Sequence, residues 1–539
     1  MSRTPLLRSL RQLFRDVRNS KTTGIPVDEI RDIREQRRTR REGITRRGVL
    51  LGAAAGASIL AIPRRARAAG QPSITIVGGG IAGLNCALTL ADAGFVSTVY
   101  EASGRVGGRM FTNRTNYFGG QITEWGGELI DSGHKTVRKL ATRYGLPLDN
   151  LLNAQPNGSR DIYRFDGSYY PATRADADFL AMSDAVAADL EAAGYPTAWN
   201  EFTAQGQSLD QMTVRQWIAT RVPGGTQSKL GQLLTQAYEI EFGANAQDQS
   251  ALNLLYLLAF QPTGSQLDVF GESDEKFHIR GGNQQLPEAI ADDLDPGTVK
   301  TGYALQKIAE TPNGRYRLTF ARGNGTTEVV SDYVVLALPF TVLRTLDFAQ
   351  AGFDARKKRA INQLGGGHNG KLQLQFSQRS WLGTGPWPGT SNGSSYSDSG
   401  YQASWEATRK QAGTPGILVL YSAASVTDAM KSTSPFATAS DPKVVQDAQK
   451  GLAQISQTYP GLAWNGKATQ SLPHKSPFFN LAYSYYKPGQ YTDFGGYEAH
   501  KQGGVYFCGE HTTQEYQGFM EGGAITGQDT AEKLIKKLT

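Results

Sequence analysis

The chain has 539 residues, 39% of them hydrophobic and 19% charged. It is therefore long enough for two or more folded domains and lacks a disordered composition. Its formal charge of +7 is uneven: residues 1–68 hold 17 Lys/Arg against 6 Asp/Glu, leaving 39 against 43 for the remainder, which excludes a nucleic-acid partner argued from net charge.

In chain order, the first feature is a leader. Arg46-Arg47 precede an apolar stretch, residues 48–62, that is too short to span a bilayer, and Ala66-Arg67-Ala68 follows as a small-residue cleavage site. This is the layout of a cleavable twin-arginine signal peptide. It predicts a partnership with the twin-arginine translocase and export to the periplasm or the outside of the cell, or to the thylakoid lumen in a cyanobacterium. That route moves folded, loaded proteins, so the leader points to a cofactor acquired inside the cell. A short helix is expected at residues 6–17. Cys86 and Cys508 are the only cysteines, and the six histidines are scattered, so neither a disulfide framework nor a metal site is expected.

Residues 74–77 read ITIV, followed by Gly78-Gly79-Gly80-Ile81-Ala82-Gly83, a helical pattern, and a second strand ending at Glu101. That is the order and spacing of a dinucleotide fold. Gly78 makes the tight turn, Gly80 lets a pyrophosphate approach the helix N-terminus, and Gly83 lets the helix pack on the strand. Glu101 is placed to accept hydrogen bonds from ribose hydroxyls; Ile81, Ala82 and Ala102 are read as cofactor-binding beside these positions. Residues 105–109 then read RVGGR. Gly107 and Gly108 allow a second close backbone approach, and Arg109 offers fixed charge to the same pyrophosphate. Arg105 reads equally well as half of a surface ion pair. NAD-only enzymes do not need this second clamp, and the pattern resembles that of flavoproteins holding an extended FAD.

Residues 176–260 carry helical runs with few strand signals. Residues 315–330 read as a hairpin turning at Asn324-Gly325. In GKLQLQF, residues 370–376, Leu372, Leu374 and Phe376 alternate with Lys371, Gln373 and Gln375, as in a half-buried strand. The Gly/Ser/Trp-rich residues 382–400 read as a long loop near a site mouth. Residues 505–511 form a buried strand ending in Gly509-Glu510, and GFMEGG, residues 518–523, opens a C-terminal helix. Its N-terminus near Met520 would present N–H groups and a positive dipole end to a flavin pyrimidine.

VGGGIAGL, EASGRVGGR, EWGGELID (124–131), RGGNQQLP (280–287), DYVVLALP (332–339) and CGEHT…GFMEGGA (508–524) appear in this order. Together they resemble the flavin-containing amine oxidase family of monoamine, polyamine and L-amino-acid oxidases, over residues 72–539. The resemblance implies an α/β fold with a Rossmann-like, GR2-type FAD-binding domain built from discontinuous segments. An α+β substrate-binding domain and a helical subdomain are inserted into it. The implied boundaries are 1–68 for the leader, 69–175, 276–345 and 476–539 for the FAD-binding domain, 176–275 for the helical subdomain and 346–475 for the substrate-binding domain.

The implied chemistry is hydride removal from the carbon bearing nitrogen to flavin N5, with imine hydrolysis and reoxidation by O2, a quinone or a cytochrome. Lys371 matches the family lysine linked through water to N5 and is the candidate catalytic residue. Tyr483 and Phe519 match the aromatic walls flanking the substrate amine. By position, Gly126, Gly127, Glu128, Leu305, Gly509, Glu510 and Met520 join the cofactor site, with Glu510 directed at a ribityl hydroxyl. Ala482 stands where animal monoamine oxidases attach FAD through a cysteine, so FAD is expected to be non-covalent. No tryptophan stands near His474, where many relatives place one beside the flavin. Arg280, Arg114 and Trp125 are candidates by position for binding a substrate carboxylate. The leader favours an L-amino acid as substrate, yielding 2-oxo acid, ammonia and hydrogen peroxide or a reduced acceptor. A primary amine or polyamine is the alternative, and a homodimer is compatible with either.

Overall fold

The computed structural model describes residues 71–261, 266–271 and 273–539. The twin-arginine leader and the helix expected at residues 6–17 lie outside the described residues. In chain order, the elements that build the site are β1 (Ile74–Val77), α1 (Ile81–Asp92), β2 (Ser97–Glu101), β3 (Arg160–Phe165), α2 (Lys229–Phe242), β4 (Val299–Thr301) and β5 (Tyr333–Leu336). They continue with β6 (Asn369–Phe376), β7 (Thr390–Ser397), β8 (Ala403–Glu406), β9 (Gly416–Ala423), α3 (Pro442–Ile455), β10 (Trp464–Ser471), β11 (Val505–Phe507) and α4 (Met520–Leu538).

Five strands form a parallel sheet in the order β11-β5-β1-β2-β4. All residues of β1 and β11 are buried, which is why both read as unbroken apolar runs rather than alternating ones. The sheet draws its strands from both ends and the middle of the chain, the discontinuous Rossmann-like arrangement implied by the motifs. The C-terminal helix α4 closes it by lying against α1. A Cβ at Gly527 would come within 2.1 Å of the Ala82 carbonyl oxygen, so the two backbones touch there.

A second, nine-stranded sheet contains the run β10-β6-β9-β8-β7-β3, antiparallel except for β7 with β3. Leu372, Leu374 and Phe376 of β6 pack into a core with Val444, Ala448 and Ile455 of α3. The opposite face is buried too, so β6 is covered on both sides rather than half-buried. Its polar side chains are satisfied by residues 118–124: Gln373 donates to the Glu124 carbonyl, and Gln375 to Phe118 and Gln121.

Helices dominate residues 172–258. Ser228 caps α2 through the Gly231 N–H, and Gly243 ends it in the left-handed conformation at φ +70°.

The structure corrects three local expectations. Residues 382–400 are not a long loop: Leu382–Thr384 and β7 pair as a hairpin, and β7 lies inside the sheet. Serine-rich sequence is tolerated there because its hydroxyls bond one another and nearby tyrosines, as Ser395 does with Tyr401 and Ser404. The predicted hairpin forms, but Arg322 pairs with Gly325, so Gly323-Asn324 make its turn. Residues 160–170, expected with the first cofactor segment, instead lie in the nine-stranded sheet.

Candidate active site

One cavity of about 910 Å³ lies between the two sheets. The turn from β1 to α1 lines it with Gly78, Gly80, Ile81 and Ala82, and the end of β2 with Glu101 and Ala102. Gly108, Arg109, Gly126, Gly127 and Glu128 follow from the next segment, Leu305 from the middle of the chain, and Gly509, Glu510 and Met520 from its end. Gly83 does not face the cavity. Its Cβ would sit 2.0 Å from the Gly78 carbonyl oxygen, so only hydrogen fits where α1 meets the turn.

These residues fit FAD. A Cβ on Gly80 would meet nothing within 4 Å, leaving the N-terminus of α1 open for a phosphate. No side chain caps the N-terminus of α4 at Phe519, so its N–H groups remain available to a ligand. His511 lines the cavity, buried, with neither ring nitrogen bonded by the protein. Burial pushes its imidazole down to about 4, so it is neutral at physiological pH.

Several side chains assigned to the cofactor are already engaged. The Glu101 carboxylate accepts from the N–H groups of Gly79 and Ser103, which fixes its position beside the turn. Arg109 donates to the Ala482 carbonyl and to Glu510. Both oxygens of Glu510 are taken by protein donors: Arg109 and the Ser484 N–H on one, the Ser484 hydroxyl and the Gly518 N–H on the other. Burial opposes ionisation of Glu510, yet Arg109 and the Ser484 hydroxyl outweigh it and hold its carboxyl below the ordinary value. Glu510 thus straps the closing segment to the first one at the cavity wall. Arg105 is not a surface ion pair. It donates to the carbonyls of Val106 and Gly108 and lies over the Phe111 ring, bracing the second glycine turn.

The other side of the cavity is a row across the nine-stranded sheet. Ser471, Lys371, Tyr421, Ala403, Tyr396 and Tyr163 are successive cross-strand partners, and all six line the cavity. Lys371 Nζ lies 2.6 Å from Glu128 Oε2, and the Trp405 indole donates to Glu128 Oε1 at 2.8 Å. Burial works against charge on Glu128, but the Lys371 ammonium, its hydrogen bond and the indole outweigh this and keep the carboxyl below its usual range. Tyr483 and Phe519 both line the cavity, and the Tyr483 hydroxyl bonds that of Tyr421. Trp125 lines it beside Phe436, with ring centroids 5.6 Å apart.

Arg280 and Arg114 do not belong to this site. Arg280 is 67% exposed and paired with Asp149, while Arg114 reaches toward Glu288 at the surface. The cavity instead holds Arg409, which follows β8 and is 8% exposed. Its Nε donates to the Glu406 carbonyl, and among the described residues its terminal nitrogens have no hydrogen-bond partner. Nothing in the local sequence distinguishes Arg409 from a turn arginine. Trp405, Tyr421 and the carboxylates Asp161, Asp268 and Glu275 were likewise invisible to motif reading.

His368, Asp428 and His474 also converge, although no metal-ligand spacing marks them along the chain. The two imidazole rings stack 4.4 Å apart at 15°, so their in-plane lone pairs do not point at a common ion position.

A family model described as flavin containing amine oxidoreductase matches residues 81–535. Polyamine oxidase 1 of Zea mays is 23% identical over 487 residues, covering 86% of this chain and 90% of that protein. The L-amino-acid oxidase of Pseudechis australis is 23% identical over 469 residues, covering 83% of each. The structure of cyclohexylamine oxidase from Brevibacterium oxydans IH-35A superposes with a TM-score of 0.73 at 20% identity, over 87% of this chain and 99% of that one.

Proposed function

The chain belongs to the flavin-containing amine oxidoreductase family, and we propose that it carries out FAD-dependent oxidative deamination of an L-amino acid. The products are a 2-oxo acid and ammonia, with electrons passing to O2 or to a quinone or cytochrome. Bound FAD supplies the hydride acceptor for the α-carbon. The chain's own residues bind and orient. Tyr483 and Phe519 wall the amine and exclude water, so it reacts in a dry, apolar place. Glu128 holds the Lys371 amine in place in the cavity.

The observation that carries the amino-acid reading is Arg409: a buried guanidinium facing the cavity with its terminal N–H groups unused. Such a fork suits a carboxylate. A second reading, oxidation of a primary amine or polyamine, is favoured by the excess of carboxylates along the same cavity. FAD-loaded enzyme given arginine, phenylalanine, putrescine and tyramine, followed by peroxide release and dye reduction, separates the two. Turnover of the plain amines alone would overturn the amino-acid reading.

We also propose that FAD is held without a covalent bond, because Ala482 offers no thiol and neither Cys86 nor Cys508 lines the cavity. Acid precipitation should release all the flavin to the supernatant. Export by the twin-arginine route is tested by changing Arg46-Arg47 to Lys-Lys, which should retain the protein inside the cell.

A further inference from the structure

Beyond the aromatic chamber, the cavity is lined by Asp161, Asp268 and Glu275. Asp161 accepts one hydrogen bond, from Asn392, and Asp268 accepts one from the N–H of Phe270. Among the described residues none of the three makes an ion pair. The other cavity arginines are committed elsewhere, Arg160 to Asp176 and Arg109 to Glu510, so Arg409 is the cation left to face them. Three carboxyl groups face one guanidinium, so ionising all three leaves negative charge uncompensated, and a bound cation would favour their ionised forms. The strain shows in Asp268, which burial and the neighbouring Asp161 and Glu275 push up to about 8.

Resting on the amino-acid reading above, we infer that the substrate is a dibasic L-amino acid of the lysine, ornithine or arginine type. Its α-carboxylate lies on Arg409, and its side-chain cation is held among Asp161, Asp268 and Glu275. Once the α-carboxylate has engaged Arg409, Asp161, Asp268 and Glu275 have no ion-pair partner among the described residues, and desolvation pushes all three carboxyls up. A neutral side chain leaves them so; a cationic one supplies what is missing. The separation of roles also fits the architecture. Asp161 lies on β3, four strands from Lys371 on β6, so it stands apart from the Lys371–Glu128 pair.

The test is anaerobic flavin reduction of the full-length, FAD-loaded enzyme by L-lysine, L-norleucine and cadaverine. Norleucine lacks only the side-chain charge, and cadaverine only the carboxylate. Lysine should outpace norleucine by about ten- to a hundredfold, the weight of a hydrogen bond to a charged group. Asp268→Asn and Glu275→Gln should narrow that ratio, with flavin content and circular dichroism reporting that the variants are folded. If norleucine matches lysine, the dibasic inference fails and the amino-acid reading stands. If cadaverine outruns lysine by the same margin, the amino-acid reading itself falls. An unchanged lysine-to-norleucine ratio in wild type and variants alike removes the acids from substrate recognition.

Discussion

Lys371 Nζ and Glu128 Oε2 lie 2.6 Å apart, side chains about nine-tenths buried, 243 positions apart in the chain. The pair joins β6 of the nine-stranded sheet to the segment that follows β2, and so bolts the substrate side to the cofactor side. Removing one partner strands the other charge in a buried place, at a cost of about 3–5 kcal/mol. Glu128→Ala should therefore lower the unfolding free energy by that order. Combining it with Lys371→Met should recover part of the loss, as read by denaturant titration. Single and double variants losing stability additively would show that the two groups are not coupled.

Two glycines three residues apart should fail differently. Gly83→Ala puts a Cβ 2.0 Å from the Gly78 carbonyl oxygen, so the helix must shift and the apoprotein should melt at lower temperature. Gly80→Ala points its methyl into open space. That variant should fold normally and bind FAD more weakly, read as lower flavin absorbance per protein at equal Tm of the apo forms.

His511 ties acid stability to its own burial. Its folded-state value is pushed down to about 4 by burial, against about 6.5 for an exposed histidine. Between these values the unfolded chain binds the extra proton, so stability is full above the unfolded value and falls as pH drops toward 4, by up to about 3 kcal/mol. His511→Phe should flatten that part of the stability–pH curve, measured by urea unfolding from pH 7 to pH 4 on apoprotein. An unaltered slope would assign the acid sensitivity elsewhere.

Arg280 and Arg409 give a matched pair of substitutions. Arg280→Ala removes an exposed charge paired with Asp149 and should change kcat/KM by less than about twofold. Arg409→Met should raise KM for an L-amino acid by about ten- to a hundredfold, the weight of a hydrogen bond to a charged group. Steady-state kinetics on one substrate compares both, and equal behaviour of the two variants would remove Arg409 from the carboxylate site.

The glycine turns at Gly78–Gly83 and Gly107–Gly108, the strand ending at Glu101, and the helix starting at Met520 were legible in the sequence. They are set by backbone conformation and close approach, and such constraints are met by neighbours in the chain. The family lysine and the aromatic pair were legible for a related reason: each sits in a recognisable local run. Arg280 and Arg114 misled because position along the chain says nothing about which side of a strand or loop meets a cavity. Arg409, Trp405, Tyr421 and the Asp161–Asp268–Glu275 group become a site only when β3, β7, β8 and β9 align and the segment carrying Asp268 and Glu275, which follows the helices of residues 172–258, lies against them. The sequence by itself determined the glycine turns and helix starts that line the cavity, whereas the charge and shape of its other end were decided by tertiary structure, because electrostatics acts through space between residues that are hundreds of positions apart.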